Sequence, residues 1–149
     1  MTCLFKSSWL RFTQPLKSSN PLGEVVGTVL WVIAVVLAVA FLAAGLMKLV
    51  QPKEKLAASG MGWTENYSAG TVKLIGALEV LAAIGLVLPA ALDIVPILVP
   101  LAALGIVLIM IGAIITHTRR RETPAIAINV VLLLLAAVVA WGRFGPHAF

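Results

Sequence analysis

The chain has 149 residues, of which 61% are hydrophobic and 11% charged, with a mean hydropathy of +1.08. A water-soluble domain carries about 25% charged residues, so this composition excludes that class and leaves an integral membrane protein. The formal net charge of +5 then bears on orientation and on anionic lipid headgroups, not on nucleic acid. Cys3 is the single cysteine, so there is neither an intrachain disulfide nor a cysteine metal motif. It reads as an ordinary tail residue, since nothing around it resembles a lipid-attachment signal.

Residues 1–23 form a basic N-terminal tail with Lys6, Arg11 and Lys17, no acid, two prolines and interleaved Phe5, Trp9, Leu10 and Phe12. This suits a flexible arm or a short interfacial helix, and transit peptides share the composition; the plain arm is the reading taken. A first apolar run covers about 25–50. It measures roughly 39 Å as a helix, ample for a hydrocarbon core of about 30 Å. The "AVA" at 38–40 resembles a cleavage site, but the run continues past it through Phe41 to Val50, so the helix is read as retained. Pro52 stops it, and residues 51–70 form a polar, glycine-containing connection holding Trp63 and Tyr67. The second run, about 71–88, ends at Pro89. A tight turn leads to a third run, about 94–115, with Pro96 and Pro100 in its first turns. "THTRRRET" (116–123) reads as a short basic loop, and Pro124 opens the fourth run, about 125–141.

Each run is near the length that spans a bilayer, and none alternates like a membrane β-barrel. The fold class is an all-α integral membrane protein: a four-transmembrane-helix bundle forming one domain over 24–149, with no internal repeat. Four spans place both termini on one side. That side carries four basic residues (Lys6, Arg11, Lys17, Arg143), against seven on the loop side (Lys48, Lys53, Lys55, Lys73, Arg119, Arg120, Arg121). The positive-inside rule therefore puts the loops in the cytoplasm.

The polar residues within the runs suggest a site. Lys48, Glu79, His117 and Asn129, one per run, fall near the loop face at similar expected depth. Helical periodicity aligns each with small or apolar residues that favour helix packing: Lys48 with Phe41, Ala44 and Gly45, Glu79 with Gly76, Ala83, Leu86 and Ala90, Asn129 with Leu133, Ala136 and Ala140, and His117 with Met110 and Ala113. Gly45 and Gly76 are expected as structural small residues. Snorkelling to headgroups would explain Lys48, Lys73 and His117 without a ligand, and Asn129 could be helix–helix glue. Glu79 is harder to place so simply, because a membrane carboxylate is costly unless paired; a structural Glu79–Lys48 pair rivals a ligand-contacting role. Arg119–Arg121 read as a topology determinant and anionic-lipid contact. Trp63 and Trp141 fall where interfacial aromatics sit. No nucleophile with its base, no haem-ligand histidine pair, no phosphate loop and no metal motif is present in the sequence.

The segments "FLAAGLMKL", "LIGALEVLAAIGLVLP", "MIGAIITHTRRRE" and "NVVLLLLAAVVAWGRFGP" resemble the DoxX-like family of small four-helix bacterial membrane proteins, over about 25–145. Lys48, Glu79 and the His-Thr-Arg-Arg stretch carry the likeness most specifically. The resemblance implies a place in the bacterial inner membrane and association with redox systems. Relatives include a membrane subunit of a thiosulfate–quinone oxidoreductase and a partner in an actinobacterial membrane oxidoreductase complex. It assigns no catalytic residues. The expected function is an auxiliary or quinone-linked subunit of a membrane redox system; the alternatives are a binding or carrier protein for a small lipophilic molecule, or a non-catalytic scaffold. No cofactor is expected to be covalently bound; a quinone is the candidate ligand, with Glu79, Lys48, Asn129 and His117 around it and Trp63 and Tyr67 over a mouth on the loop face. Expected partners are the bilayer with its anionic lipids, other oxidoreductase subunits and further copies of the chain.

Overall fold

The structure is a computed structural model and describes residues 20–148; the expectations for Cys3 and most of the tail lie outside them. The described chain is helical with no strand. Four helices are long and apolar enough to cross a membrane: α1 (Pro21–Val50), α3 (Ala69–Ala91), α4 (Leu98–Arg120) and α5 (Thr123–Phe144). Between α1 and α3 lie a short helix, α2 (Lys53–Ala58), and a 3-10 turn (Gly62–Asn66). The four long helices pack as a ring in the order α1, α3, α4, α5, with α1–α3 and α4–α5 the most extensive pairs. The protein is thus a four-helix membrane bundle, and its lipid-facing sides are covered with exposed Val, Leu and Ile.

The core is a column of Ala34, Leu37, Phe41, Ala83, Leu86, Ala103, Ile106 and Val139. Small side chains let the helices come close, as expected where lipid is as apolar as the core and packing must supply the attraction. The closest approach is at Gly45 and Gly76. A Cβ on Gly45 would lie 2.6 Å from the Gly76 carbonyl oxygen, and a Cβ on Gly76 would lie 2.8 Å from that of Gly45. Any side chain there would force α1 and α3 apart. At the other end of the bundle, buried Arg143 donates to the Gly27 carbonyl at 3.1 Å and to that of His147 at 3.0 Å. This charge, counted above as a topology signal, ties α5 to α1.

The helix ends differ from the sequence reading in several places. α1 begins at Pro21 after Asn20, taking residues 21–23 from the tail; proline at the first helical position needs no backbone donor. α3 begins at Ala69, with the Ser68 hydroxyl accepting from the Thr71 N–H at 3.1 Å, and continues through Pro89 to Ala91. α4 starts at Leu98, so Pro96 precedes it and only Pro100 lies in its first turn. It also runs on through 116–120, most of the expected basic loop. It stops at Arg121, which takes φ 59° while the Glu122 N–H bonds the His117 carbonyl at 3.0 Å and the Arg121 N–H bonds that of Thr118 at 3.1 Å. That is a Schellman stop, with arginine where glycine is usual.

Candidate functional site

Lys48 and Glu79 meet inside the bundle. Lys48 Nζ donates to Glu79 Oε2 at 2.7 Å and to Oε1 at 3.0 Å. Their side chains are 8% and 6% exposed. The geometry follows from the glycines, since Gly45 lies three residues before Lys48 and Gly76 three before Glu79. One helical turn from each charge the two backbones touch, which fixes the distance the salt bridge spans. Counted from the ends of their own helices, the polar residues stand at different distances. Glu79 lies about 15 Å along α3 from Ala69 and Asn129 about 9 Å along α5 from Thr123, at about 1.5 Å per residue. The first turns of α3 extend beyond the end of α1, and this stagger brings a mid-helix glutamate level with a last-turn lysine.

The pair borders a cavity of about 300 Å³. Its polar lining includes all four residues singled out from the sequence, Lys48, Glu79, His117 and Asn129, along with Tyr67 and Thr116; its apolar lining includes Ile75, Leu78, Leu108 and Met110. Asn129 is half-buried and makes no side-chain hydrogen bond to another described residue, so its amide remains available to the cavity.

The loop-facing end is covered by the 51–68 connection. Trp63 and Tyr67 pack edge-to-face with centroids 5.9 Å apart, and Lys48 Nζ stands 5.9 Å from the Trp63 ring centroid, at the outer range of a cation–π contact. The Tyr67 hydroxyl lies 2.7 Å from Thr116 Oγ1, which itself donates to the Gly112 carbonyl, so tyrosine is the donor. Lys53 donates to the Tyr67 carbonyl at 2.9 Å, and Arg120 to Asn66 Oδ1 at 2.9 Å. Of the arginine triplet, Arg120 is therefore a clamp on the cover, while Arg119 and Arg121 are exposed. Sequence reasoning missed Thr116, Arg120 and Glu122. Only their crowding at the end of an apolar run, beside a loop with hydrogen-bonding side chains, hinted at them.

His117 is held from outside the membrane-spanning segments. Its Nδ1 lies 2.6 Å from Glu122 Oε2, while Arg120 Nε donates to Oε1 at 2.7 Å. The Arg120 and His117 hydrogen bonds hold the Glu122 carboxyl below its ordinary range. Ionised, it can only accept, so Nδ1 carries the shared proton and Nε2 is left for a group in the cavity.

The DoxX-like family model matches residues 32–139. The chain belongs to the DoxX-like family. The match takes in the whole of α3 and α4, most of α1 and α5, and every cavity residue named above. No match is found among curated proteins or solved structures. This DoxX-like chain is accordingly a multi-pass membrane protein in contact with the lipid bilayer.

Proposed function

We propose that this DoxX-like protein is a quinone-linked or auxiliary subunit of a redox system in a bacterial inner membrane. The observation that carries the reading is the cavity itself: apolar walls in which a buried Lys48–Glu79 pair, an Asn129 amide with no side-chain hydrogen bond among the described residues and a carboxylate-held His117 converge. Mostly apolar walls with few convergent polar groups suit a lipophilic ligand with a polar head. The lining fits a quinone, because Asn129 and Lys48 offer donors to carbonyl oxygens and His117 donates from Nε2 when protonated. When bound, a quinone supplies the electron-accepting chemistry, with electrons from a partner oxidoreductase subunit and protons from its surroundings.

The chain's own groups do the rest. Ile75, Leu78, Leu108 and Met110 line the apolar part of the cavity, and Trp63 and Tyr67 cover the loop side, which limits water entry. Glu79 and Lys48 neutralise each other and keep the site uncharged overall. His117, bridged to partly exposed Glu122, stands between the loop face and the cavity and can pass a proton between them. Titration with a short-chain quinone tests the reading. Saturable binding is expected for the wild type, with weaker binding for Glu79→Gln and Asn129→Leu. Gly112→Leu should abolish it, because Gly112 lines the cavity and a Cβ there meets nothing within 4 Å. If the wild type shows no saturable binding, or all three variants bind as it does, the quinone reading is wrong. Mass spectrometry of the purified native protein adds a check: a different lipid would favour a carrier, and protein partners alone a scaffold.

A further inference from the structure

Outside the cavity, the lipid-facing surface between α3 and α4 carries an apolar groove of about 710 Å³. Leu81 and Leu88 wall it on one side and Leu98 and Leu101 on the other, with Gly85, Ala102 and Gly105 between them. The two glycines do different things. A Cβ on Gly85 would lie 2.9 Å from the Ala102 Cβ, so α3 and α4 touch there and close the bundle behind the groove. A Cβ on Gly105 would meet nothing within 4 Å, so there the missing side chain itself provides open space.

Leu78, Leu108 and Ile109 line the groove and the polar cavity alike. The two spaces are neighbours across one wall of side chains, of which Leu78 is 45% and Leu108 63% exposed toward lipid. From Leu78 to Leu88 the groove follows α3 for roughly 15 Å, away from the loop face. The loop side of the cavity is meanwhile pinned by the Tyr67–Thr116 and Arg120–Asn66 bonds. The polar pocket is thus covered toward water and bordered by lipid-exposed leucines toward the bilayer. It lies at the small end of ligand sites, which span about 300–1,000 Å³, and the groove adds more than its own volume again.

We infer that the ligand is a head-and-tail lipid, an isoprenoid quinone that enters sideways between α3 and α4, with its ring at Lys48, Glu79 and Asn129 and its tail along the groove past Gly105. This rests on the quinone reading above and specifies the substrate class: a long-tailed membrane quinone, not a soluble ring. Ordinary acyl chains occupying the groove while the ring binds alone is the competing arrangement.

The test measures binding to the full chain in phosphatidylcholine nanodiscs, using a tail-less benzoquinone and the same ring with an isoprenoid tail. Wild type is compared with Gly105→Phe, a change that fills the groove without touching the polar lining. Partition into the bilayer is common to both proteins and cancels in the comparison. The variant should bind the tailed quinone roughly ten-fold more weakly, about the loss of one large side chain's apolar contact, and the tail-less ring unchanged. Equal affinity of both proteins for the tailed quinone overturns the groove assignment and leaves the cavity reading standing. Absence of binding of either quinone to wild type overturns both. A second measurement needs no variant: a tailed quinone with a diazirine at the tail end should label residues 81–109 on irradiation. Labelling spread evenly over α1 and α5 as well would place the tail in bulk lipid and refute the inference.

Discussion

Lys48→Met and Glu79→Gln should destabilise the bundle unequally, and the structure says which is worse. Glu79 accepts hydrogen bonds only from Lys48 among the described residues, at 2.7 and 3.0 Å. Lys48 has further neighbours: a long contact to the Ala44 carbonyl at 3.5 Å and the face of Trp63. Replacing Lys48 with methionine strands a buried carboxylate with no donor. Replacing Glu79 with glutamine leaves an amide oxygen that still accepts from Lys48. Breaking a buried pair from one side costs about 3–5 kcal/mol. Lys48→Met should fall in that range and Glu79→Gln below it, near the roughly 1.5–3 kcal/mol of a hydrogen bond to a charged group. The double variant removes both charges and should recover much of the larger loss. Unfolding midpoints in detergent for the wild type, both single variants and the double variant give the coupling energy. Strictly additive losses, or a costlier Glu79→Gln, would refute the account of how the pair is satisfied.

Three further outcomes follow from the same geometry. Gly45→Ala and Gly76→Ala each place a Cβ within 2.8 Å of a facing carbonyl oxygen, and each should cost about 1–3 kcal/mol of stability by the same unfolding measurement, as overpacking does; Gly27→Ala, inside α1 with open space around it, is the control expected to lose no stability, since alanine is the better helix former. The bonds to Arg120 and His117 lower the Glu122 carboxyl below the ordinary glutamate value of 4.5, so their stabilisation is fully present above that value and lost as the pH falls through the lowered one. Trp63 fluorescence should report loosening of the cover in that acid range for the wild type, and Glu122→Gln should show no such transition; an identical acid transition in the variant would contradict the assignment. With Cys3 removed, a cysteine at Ser59 should be shielded from an impermeant label in intact cells and one at Ala148 reactive, as the seven-to-four charge split requires; the opposite pattern would invert the topology.

The sequence alone determined the class and the number of spans, because each apolar run had to be long enough to cross the bilayer and satisfy its own backbone as a helix. It also marked Glu79 and Lys48, since charges in such runs are expensive enough to require partners. Some boundary signals were present but outweighed: Asn20–Pro21 opens α1, yet hydropathy drew attention to Val25. Other features were decided only by tertiary structure. Whether Glu79 and Lys48 meet depended on the stagger of α3 against α1, which the Gly45–Gly76 contact sets and which spacing along one helix does not encode. The cover over the cavity depended on Tyr67 finding Thr116 and Asn66 finding Arg120, each about fifty residues away in the chain. The pairing of His117 with Glu122 depended on Arg121 adopting a left-handed conformation, where helical spacing would have carried the two side chains apart. Periodicity reports which face of a helix is apolar; how far one helix slides along another is set by the few side chains that touch.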